Sequence, residues 1–494
     1  MKMTLTLHRD LFIAGTYCPP RSGASEEVLN PATGDAFAEA PVGGVDDAEA
    51  AIAAARESFD QGRWRRLTMR ERVEKMRLFH DHLMSRIDEW VPLIIAETGA
   101  LAGMARAAQF GAPMKHFRYY LDAALQPTAR MALPEVTPNP FGTKTLGTAF
   151  IQNDPVGVVA AITAYNYPCM LNLTKIVPAL LTGNSVVLKP SPYTPFEALI
   201  LGEAAQAAGL PEGVLNIITG GVEVGAKLTT DRRVDLVTFT GSDAVGATIS
   251  AQAAPTLKRV LMELGGKSAS IVRADANLDR ALAAGFNAIV SHAGQACVSL
   301  TRQLVHNSIR AEYVEKLGER LRAVKIGNPA DTATQMGPMI RDVACRRTDS
   351  YVASALQDGG TLVAGGKRPE HLGKGFFYEP TLIDNVKNGW KIARDEIFGP
   401  LGVVIGFDSD EEAIAIANDT EYGLSGAIFS ADAGRAFEMA QELRTGGVNL
   451  NGGPGTMLSD APFGGVGRSG YGREMSIHGL LEFTQSKTIA FSAA

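Results

Sequence analysis

The sequence predicts an α/β fold: a doubly wound parallel sheet, a second α/β domain after it, and a small extended arm. Three observations predict this. From Pro155, short β-branched runs alternate with capped helical stretches. After Gly265 a second alternation of the same kind runs to about Asn451. Residues 130–152 and the tail 483–491 follow neither pattern and read as an arm that pairs with another subunit by strand addition.

Residues 1–125 read mostly helical, beginning after the turn Asn30-Pro31-Ala32-Thr33-Gly34. Asp46 with Glu49 has the spacing of a capping box, and Val45, Ala48, Ile52, Ala55 and Phe59 then recur at helical spacing. A second box, Thr68 with Glu71, opens a stripe of Val73, Met76, Phe79, Leu83, Ile87 and Trp90.

Strand-like runs follow at 156–163, 185–188, 214–218, 236–240 and 259–264, with helices between them, which implies a parallel sheet. In one connection Thr194 is placed to cap, Pro195 suits the first helical position, Glu197 completes a box and Gly209 ends the helix. A doubly wound unit holds its ligand in the loops at the carboxyl ends of the strands. In the second region, helical stripes at 277–291, 310–324 and 409–418 interleave with strand-like runs at 401–407 and 448–451. The chain therefore divides into 1–127 with 153–264, then 265–460, an arm of 128–152 with 480–494, and a return segment 461–479.

With 494 residues, 46% hydrophobic and 20% charged, the chain can fill more than one large core and falls outside the disordered and coiled-coil classes. Lys and Arg number 47 against 53 Asp and Glu, and a net charge of -6 gives no general attraction to nucleic acid or anionic lipid. Neither nucleic acid nor membrane is expected as a partner. The amino terminus lacks the apolar core of a secretory signal, and no apolar run reaches the ~18 residues of a membrane span. A soluble, cytoplasmic protein is expected. The four cysteines, Cys18, Cys169, Cys297 and Cys345, are too dispersed for a disulfide framework or a zinc site, so no metal is expected.

Two motifs fail on inspection. Gly465-Val466-Gly467-Arg468-Ser469-Gly470 satisfies GxGxxG, yet too little chain follows it for a βαβ unit. Gly266-Lys267-Ser268 lacks the first glycine of a phosphate-binding loop, since Leu261 stands there.

Three residues carry chemistry. Cys297, in Gly294-Gln295-Ala296-Cys297, reads as a small buried hydrophobe or as a nucleophile whose own N–H faces an oxyanion. Glu263, at the end of a strand, reads as a solvated carboxylate or as a general base among apolar walls. Asn166, in Tyr165-Asn166-Tyr167-Pro168 after the first strand of the sheet, reads as a turn residue or as an amide donor to an oxyanion.

Seven stretches in order resemble the aldehyde dehydrogenase superfamily: Tyr165-Asn166-Tyr167-Pro168; Leu188-Lys189-Pro190-Ser191-Pro192; Phe239-Thr240-Gly241-Ser242 with Gly246; Glu263-Leu264-Gly265-Gly266-Lys267; Gly294-Gln295-Ala296-Cys297; Glu396-Ile397-Phe398-Gly399-Pro400; and Pro462-Phe463-Gly464-Gly465 with Ser469-Gly470. The resemblance covers almost the whole chain. It implies a Rossmann-like cofactor domain, a catalytic domain carrying Cys297, and an oligomerisation arm. It also implies that Cys297 attacks an aldehyde to form a thiohemiacetal, its oxyanion held by the Asn166 amide and the Cys297 N–H. Hydride passes to nicotinamide, and Glu263 activates the water that hydrolyses the thioester. Lys175 takes the place of a family lysine near the oxyanion, with a helix-surface cation as its other reading.

For the cofactor, NAD, the resemblance places Lys189 at the adenosine ribose, Gly241-Ser242 at the pyrophosphate, Glu396 at the nicotinamide ribose and Phe398 beside the ring. Ile162, Tyr165, Ser191, Gly221, Gly225, Thr240, Gly246 and Leu264 are implied around it. Pro192 stands where many NAD-using relatives carry a ribose-binding Glu, which opens NADP as the alternative. Tyr165 replaces the commoner Trp, and Asp243 the usual Thr. Tyr167, Met170 and Phe463 suggest a mostly apolar entrance and an aliphatic or aromatic aldehyde. A CoA-acylating semialdehyde dehydrogenase is the nearest rival, which Glu263 argues against. A silent binding protein on the same fold is the other. Family habit favours a homodimer or homotetramer.

Overall fold

Short β-branched segments bounded by turns bury both faces only if helices cover them, and this requirement organises the computed structural model, which describes residues 7–492 except 139, 143 and 454–457. The strands Val158–Ile162, Ser185–Lys189, Leu215–Ile217 and Leu236–Thr240 are buried along their whole length. With Arg259–Glu263 they form the parallel centre of an eight-stranded sheet. Strand order runs outward from Val158–Ile162 in both directions, toward Ser185–Lys189 on one side and Leu236–Thr240 on the other. The switch point lies between Val158–Ile162 and Leu236–Thr240, and a crevice opens at their carboxyl ends.

The second sheet has seven strands, and only its edge strand Thr361–Ala364 is antiparallel. Its strand Ala269–Val272 begins six residues after Glu263, so Leu264-Gly265-Gly266-Lys267-Ser268 joins the two sheets directly. The α/β class expected from the sequence is the one observed, with both sheets covered by helices.

The N-terminal segment departs from the helical reading. Leu11–Ile13 and Thr16–Cys18 add an antiparallel edge to the first sheet, and Ser25–Leu29 pairs with Ala36–Pro41 across the Asn30 turn. These segments are too short and irregular in polarity to show a period in sequence. The first helix is Val45–Gln61, and Asp47, rather than a pair of Asp46 and Glu49, closes its cap by accepting from the Gly44 N–H at 2.9 Å. The helix starts two residues earlier than the box assumed, with Gly44 rather than Asp46 as its N-cap. The Thr68–Glu71 box forms as expected, but its apolar stripe is shared by two helices, Met69–Ser85 and Ile87–Thr98.

The cap expected of Thr194 is also corrected. Its hydroxyl is buried without a partner, and the Glu97 carboxylate accepts instead from Phe196 N at 2.9 Å and Glu197 N at 3.2 Å. A carboxyl that accepts from two N–H groups at once outcompetes a local hydroxyl that would accept from one. Glu197 completes no box.

Lys144–Pro155 pairs antiparallel with Thr484–Ser492, and Arg130–Met131 and Glu135–Pro138 add to its other edge. The arm and tail thus satisfy one another within the chain. Positions 139 and 143 of the arm, 454–457 of the second domain, 493–494 of the tail and 1–6 of the amino terminus lie outside the described residues. The return segment closes the first sheet: Gly470–Tyr471 pairs antiparallel with Met262 and Glu263. The GxGxxG stretch is therefore an edge strand and turn.

Candidate active site

A cavity of about 330 Å³ opens at the switch point, between the strand ends of the first sheet and the second domain. Asn166, Glu263 and Cys297 all line it. Each arrives from a different element. Asn166 follows Val158–Ile162, Glu263 ends Arg259–Glu263, and Cys297 follows the helix Leu278–Val290 through the turn Ser291–Gly294.

Two glycines let these segments meet. A Cβ on Gly265 would lie 2.2 Å from Glu396 Oε2, and one on Gly266 would lie 2.7 Å from the Cys297 carbonyl oxygen. The strand-end loop can therefore pass between Glu396 and Cys297 only without side chains. The Gly266 N–H donates to Glu396 Oε1 at 3.1 Å, and Lys267 Nζ donates to the Asp395 carbonyl at 2.5 Å, which fixes the Glu396 segment against the loop.

Asn166 is buried. Its Nδ2 donates to the Gln295 carbonyl at 3.0 Å, and its own backbone carbonyl accepts from Gln109 Nε2 at 2.8 Å. Burial raises the Glu263 pKa well above the usual carboxylate range; Glu474 adds to the rise, while Lys175 and Arg473 oppose it. Glu263 Oε1 has no hydrogen-bond partner among the described residues. Burial likewise pushes the Cys297 thiol well up, helped by Glu263, Glu396 and Glu474. Burial thus disfavours the charged form of both groups, and thiol and carboxyl share one largely apolar chamber.

Lys175 is not a surface cation. Its Nζ is fully buried, 2.5 Å from Glu474 Oε1 and 3.1 Å from Thr238 Oγ1. Glu474, and not Lys175, forms part of the cavity wall.

The expected cofactor residues separate into two groups. Tyr165, Thr240, Gly241, Ser242, Leu264, Glu396 and Phe398 line the cavity. Tyr165 meets Phe398 edge-on at 6.0 Å, and burial pushes Glu396 up to about 7, opposed by the Gly266 N–H. Ile162, Lys189, Ser191, Gly221, Gly225 and Gly246 lie outside the cavity wall. Ile162 pairs with Lys189 across adjacent strands, and Ser191 Oγ accepts from Tyr193 N at 3.2 Å. Gly221 caps the helix Val222–Thr230, Gly225 lies within that helix, and Gly246 packs against Leu264.

This arrangement fits a dinucleotide. Gly241 and Ser242 open the helix Asp243–Ala253, whose N-terminus favours a diphosphate, and the cavity leads from there to Cys297. Lys189 Nζ is buried and donates to the Pro190 carbonyl at 3.1 Å; burial lowers it to about 8, with Glu223 opposing.

Arg347 and Glu474 line the cavity but were not singled out from the sequence. Arg347 lies on the helix Asp342–Gln357, and Glu474 bridges to Phe463 through paired backbone hydrogen bonds of 2.8 and 2.7 Å. Neither sits in a motif, and only folding brings them to the site. Among the described residues no His, Cys, Asp and Glu group is arranged for a metal ion, and no helix is long and apolar enough to cross a membrane.

A family model described as "Aldehyde dehydrogenase family" matches residues 17–489. The chain is 35% identical over 485 residues to 3-sulfolactaldehyde dehydrogenase of Pseudomonas putida, covering 98% of this chain and 97% of that one. It is 35% identical over 486 residues to betaine aldehyde dehydrogenase of Bacillus subtilis, covering 98% and 97%. Betaine aldehyde dehydrogenase from Staphylococcus aureus in complex with NAD+ superposes with a TM-score of 0.94 at 35% identity, covering 98% of this chain and 95% of that one.

Proposed function

Because this chain belongs to the aldehyde dehydrogenase family of enzymes, we propose that it oxidises an uncharged aldehyde to a carboxylic acid with NAD+ through Cys297. The observation that carries this reading is the meeting of Cys297, Glu263 and Asn166 on one cavity wall.

The Cys297 sulfur adds to the aldehyde carbon as its proton passes through water to bulk solvent, leaving Glu263 free as a carboxylate for the later step. One N–H of the Asn166 amide is held by Gln295, leaving the other for the oxyanion together with the Cys297 N–H. When bound, nicotinamide supplies a hydride acceptor and, before transfer, a positive charge near sulfur. Glu263 as carboxylate then takes a proton from the water that attacks the thioester. The acid leaves, and the proton returns to the Cys297 sulfur.

Lys189, Gly241, Ser242, Glu396 and Phe398 would hold the dinucleotide. NAD is favoured over NADP although Pro192 supplies no ribose partner, because Glu223 faces Lys189 and its carboxylate would repel a 2′-phosphate. Leu171, Met170, Val298, Phe463 and Met475 make the rest of the wall largely apolar, which supports an aliphatic or aromatic substrate. Arg347 acts on Tyr165 and Glu396, on the side assigned to nicotinamide, so it gives a carboxylated aldehyde no counter-charge.

The arm presents Leu133, Val136, Ile489 and Phe491 at the surface, which supports a homodimer or homotetramer whose mass light scattering would measure. A cytoplasmic location accords with the composition. The test of function is a product assay with and without CoA across neutral, anionic and cationic aldehydes. The expected outcome is free acid without CoA, with neutral aldehydes preferred, and loss of all turnover in Cys297→Ala.

A further inference from the structure

Three successive residues before the nucleophile, His292, Ala293 and Gly294, have φ of 49°, 51° and 71°. Only the last is a glycine, and left-handed backbone at the other two is strained unless the surroundings hold it. What holds it is visible. The His292 ring is buried, meets Tyr167 edge-on at 5.3 Å, and faces the Asn166 backbone. Its Nδ1 has no partner among the described residues, so packing against Tyr167 orients the ring.

The neighbouring hydrogen bonds link three residues in a chain. Gln295 Nε2 donates to the His292 carbonyl at 3.0 Å, and the Gln295 carbonyl accepts from Asn166 Nδ2 at 3.0 Å. Gln295 is anchored at its other end, where its Oε1 accepts from Ile340 N at 3.0 Å. This chain of bonds ties the nucleophile turn of the second domain to the loop after Val158–Ile162 in the first. It also decides which end of the Asn166 amide faces the chamber, because a carbonyl neighbour accepts only from nitrogen.

We propose that His292 is a positioning residue for the oxyanion site, holding the left-handed turn so that Gln295 aims the Asn166 amide at the carbon bonded to Cys297. Imidazole suits the task because His is among the few non-glycine residues that tolerate left-handed backbone and still offers an N–H. The inference rests on the reading of Cys297 as the nucleophile. It does not require the imidazole to change charge during turnover.

Two reactions of the same thiol test it. With 4-nitrophenyl acetate, the Cys297 sulfur bonds to the acyl carbon through an oxyanion, 4-nitrophenolate leaves, and the thiol proton goes to water. With iodoacetamide, the same sulfur displaces iodide and no oxyanion forms. His292→Ala is expected to slow acylation by about 10- to 100-fold while alkylation stays within about 2-fold. His292→Asn, which tolerates the same backbone and can donate, is expected to restore most of the acylation rate. Gln295→Ala, which removes the side chain bonded to the His292 carbonyl, is expected to reproduce the selective loss and serves if His292→Ala does not fold. Equal loss in both reactions, or no loss in either, would overturn the proposal. Failure of the unsubstituted enzyme to be acylated at Cys297 would instead overturn the nucleophile assignment.

Discussion

Lys175 and Glu474, 299 positions apart, form a buried ion pair at 2.5 Å. Lys175 stands on the helix Pro168–Leu181, and Glu474 lies in the segment that returns to the first sheet. The pair sits beneath Glu263, where Glu474 raises the proton affinity of that carboxyl and Lys175 lowers it. One buried pair therefore couples fold closure to the chemistry of the base.

Breaking the pair from one side leaves a buried charge without compensation. Lys175→Met is expected to cost about 3–5 kcal/mol, while Lys175→Met with Glu474→Leu recovers most of that loss. Denaturant midpoints for the two single variants and the double variant check it through a double-mutant cycle.

The pH dependence follows from Glu263 and Cys297, whose pKa values both lie well above their ordinary ones. The reactive forms are the deprotonated ones, so activity falls as pH drops and rises as pH increases through the raised values. Steady-state kcat/KM is expected to climb from pH 6 to pH 9. Glu263→Gln is expected to retain the acylation burst and lose about 10²- to 10⁴-fold in turnover, with a thioester accumulating that mass spectrometry detects.

Glu97 and Glu197 are buried together, with Glu97 pushed up to about 8 and Glu197 well above the ordinary 4.5, in each case first by burial. A carboxyl whose proton is held more tightly in the folded state stabilises fully below about pH 4.5, and that stability is lost as pH rises toward 8. Glu197→Gln removes one ionising group while Glu97 still caps the helix. It is expected to raise Tm by about 2–4 °C at pH 8 and to change it little at pH 5, as thermal unfolding would show.

Cofactor choice is expected to favour NAD over NADP by at least about 10-fold in kcat/KM. Glu223→Gln, which removes the carboxylate facing Lys189, is expected to narrow the ratio, and Pro192→Glu to widen it. Initial rates with both cofactors at fixed aldehyde check this, and a native preference for NADP would refute the assignment.

Legibility followed the range of the forces involved. Cys297, Glu263 and Asn166 stood out as candidates beside strand and helix ends, but local pattern left each a structural alternative, and the resemblance of their motifs to a family gave them roles; all three line one cavity. The five central strands could be read because doubly buried segments show as unbroken apolar runs. Glu474 and Arg347 could not, since nothing near them in sequence distinguishes a carboxylate or guanidinium that folding will enclose. The Thr194 cap failed for a related reason: its rival acceptor, Glu97, comes from another helix. Sequence spacing ranks local partners and is blind to distant stronger ones.

Because Gly470–Tyr471 completes the sheet edge beside Glu263 and Glu474 meets Lys175, one returning segment both walls the chamber and neutralises an interior cation. Detaching that segment would strand Lys175 without its counter-charge, so a molecule with an unsealed chamber is also a destabilised one.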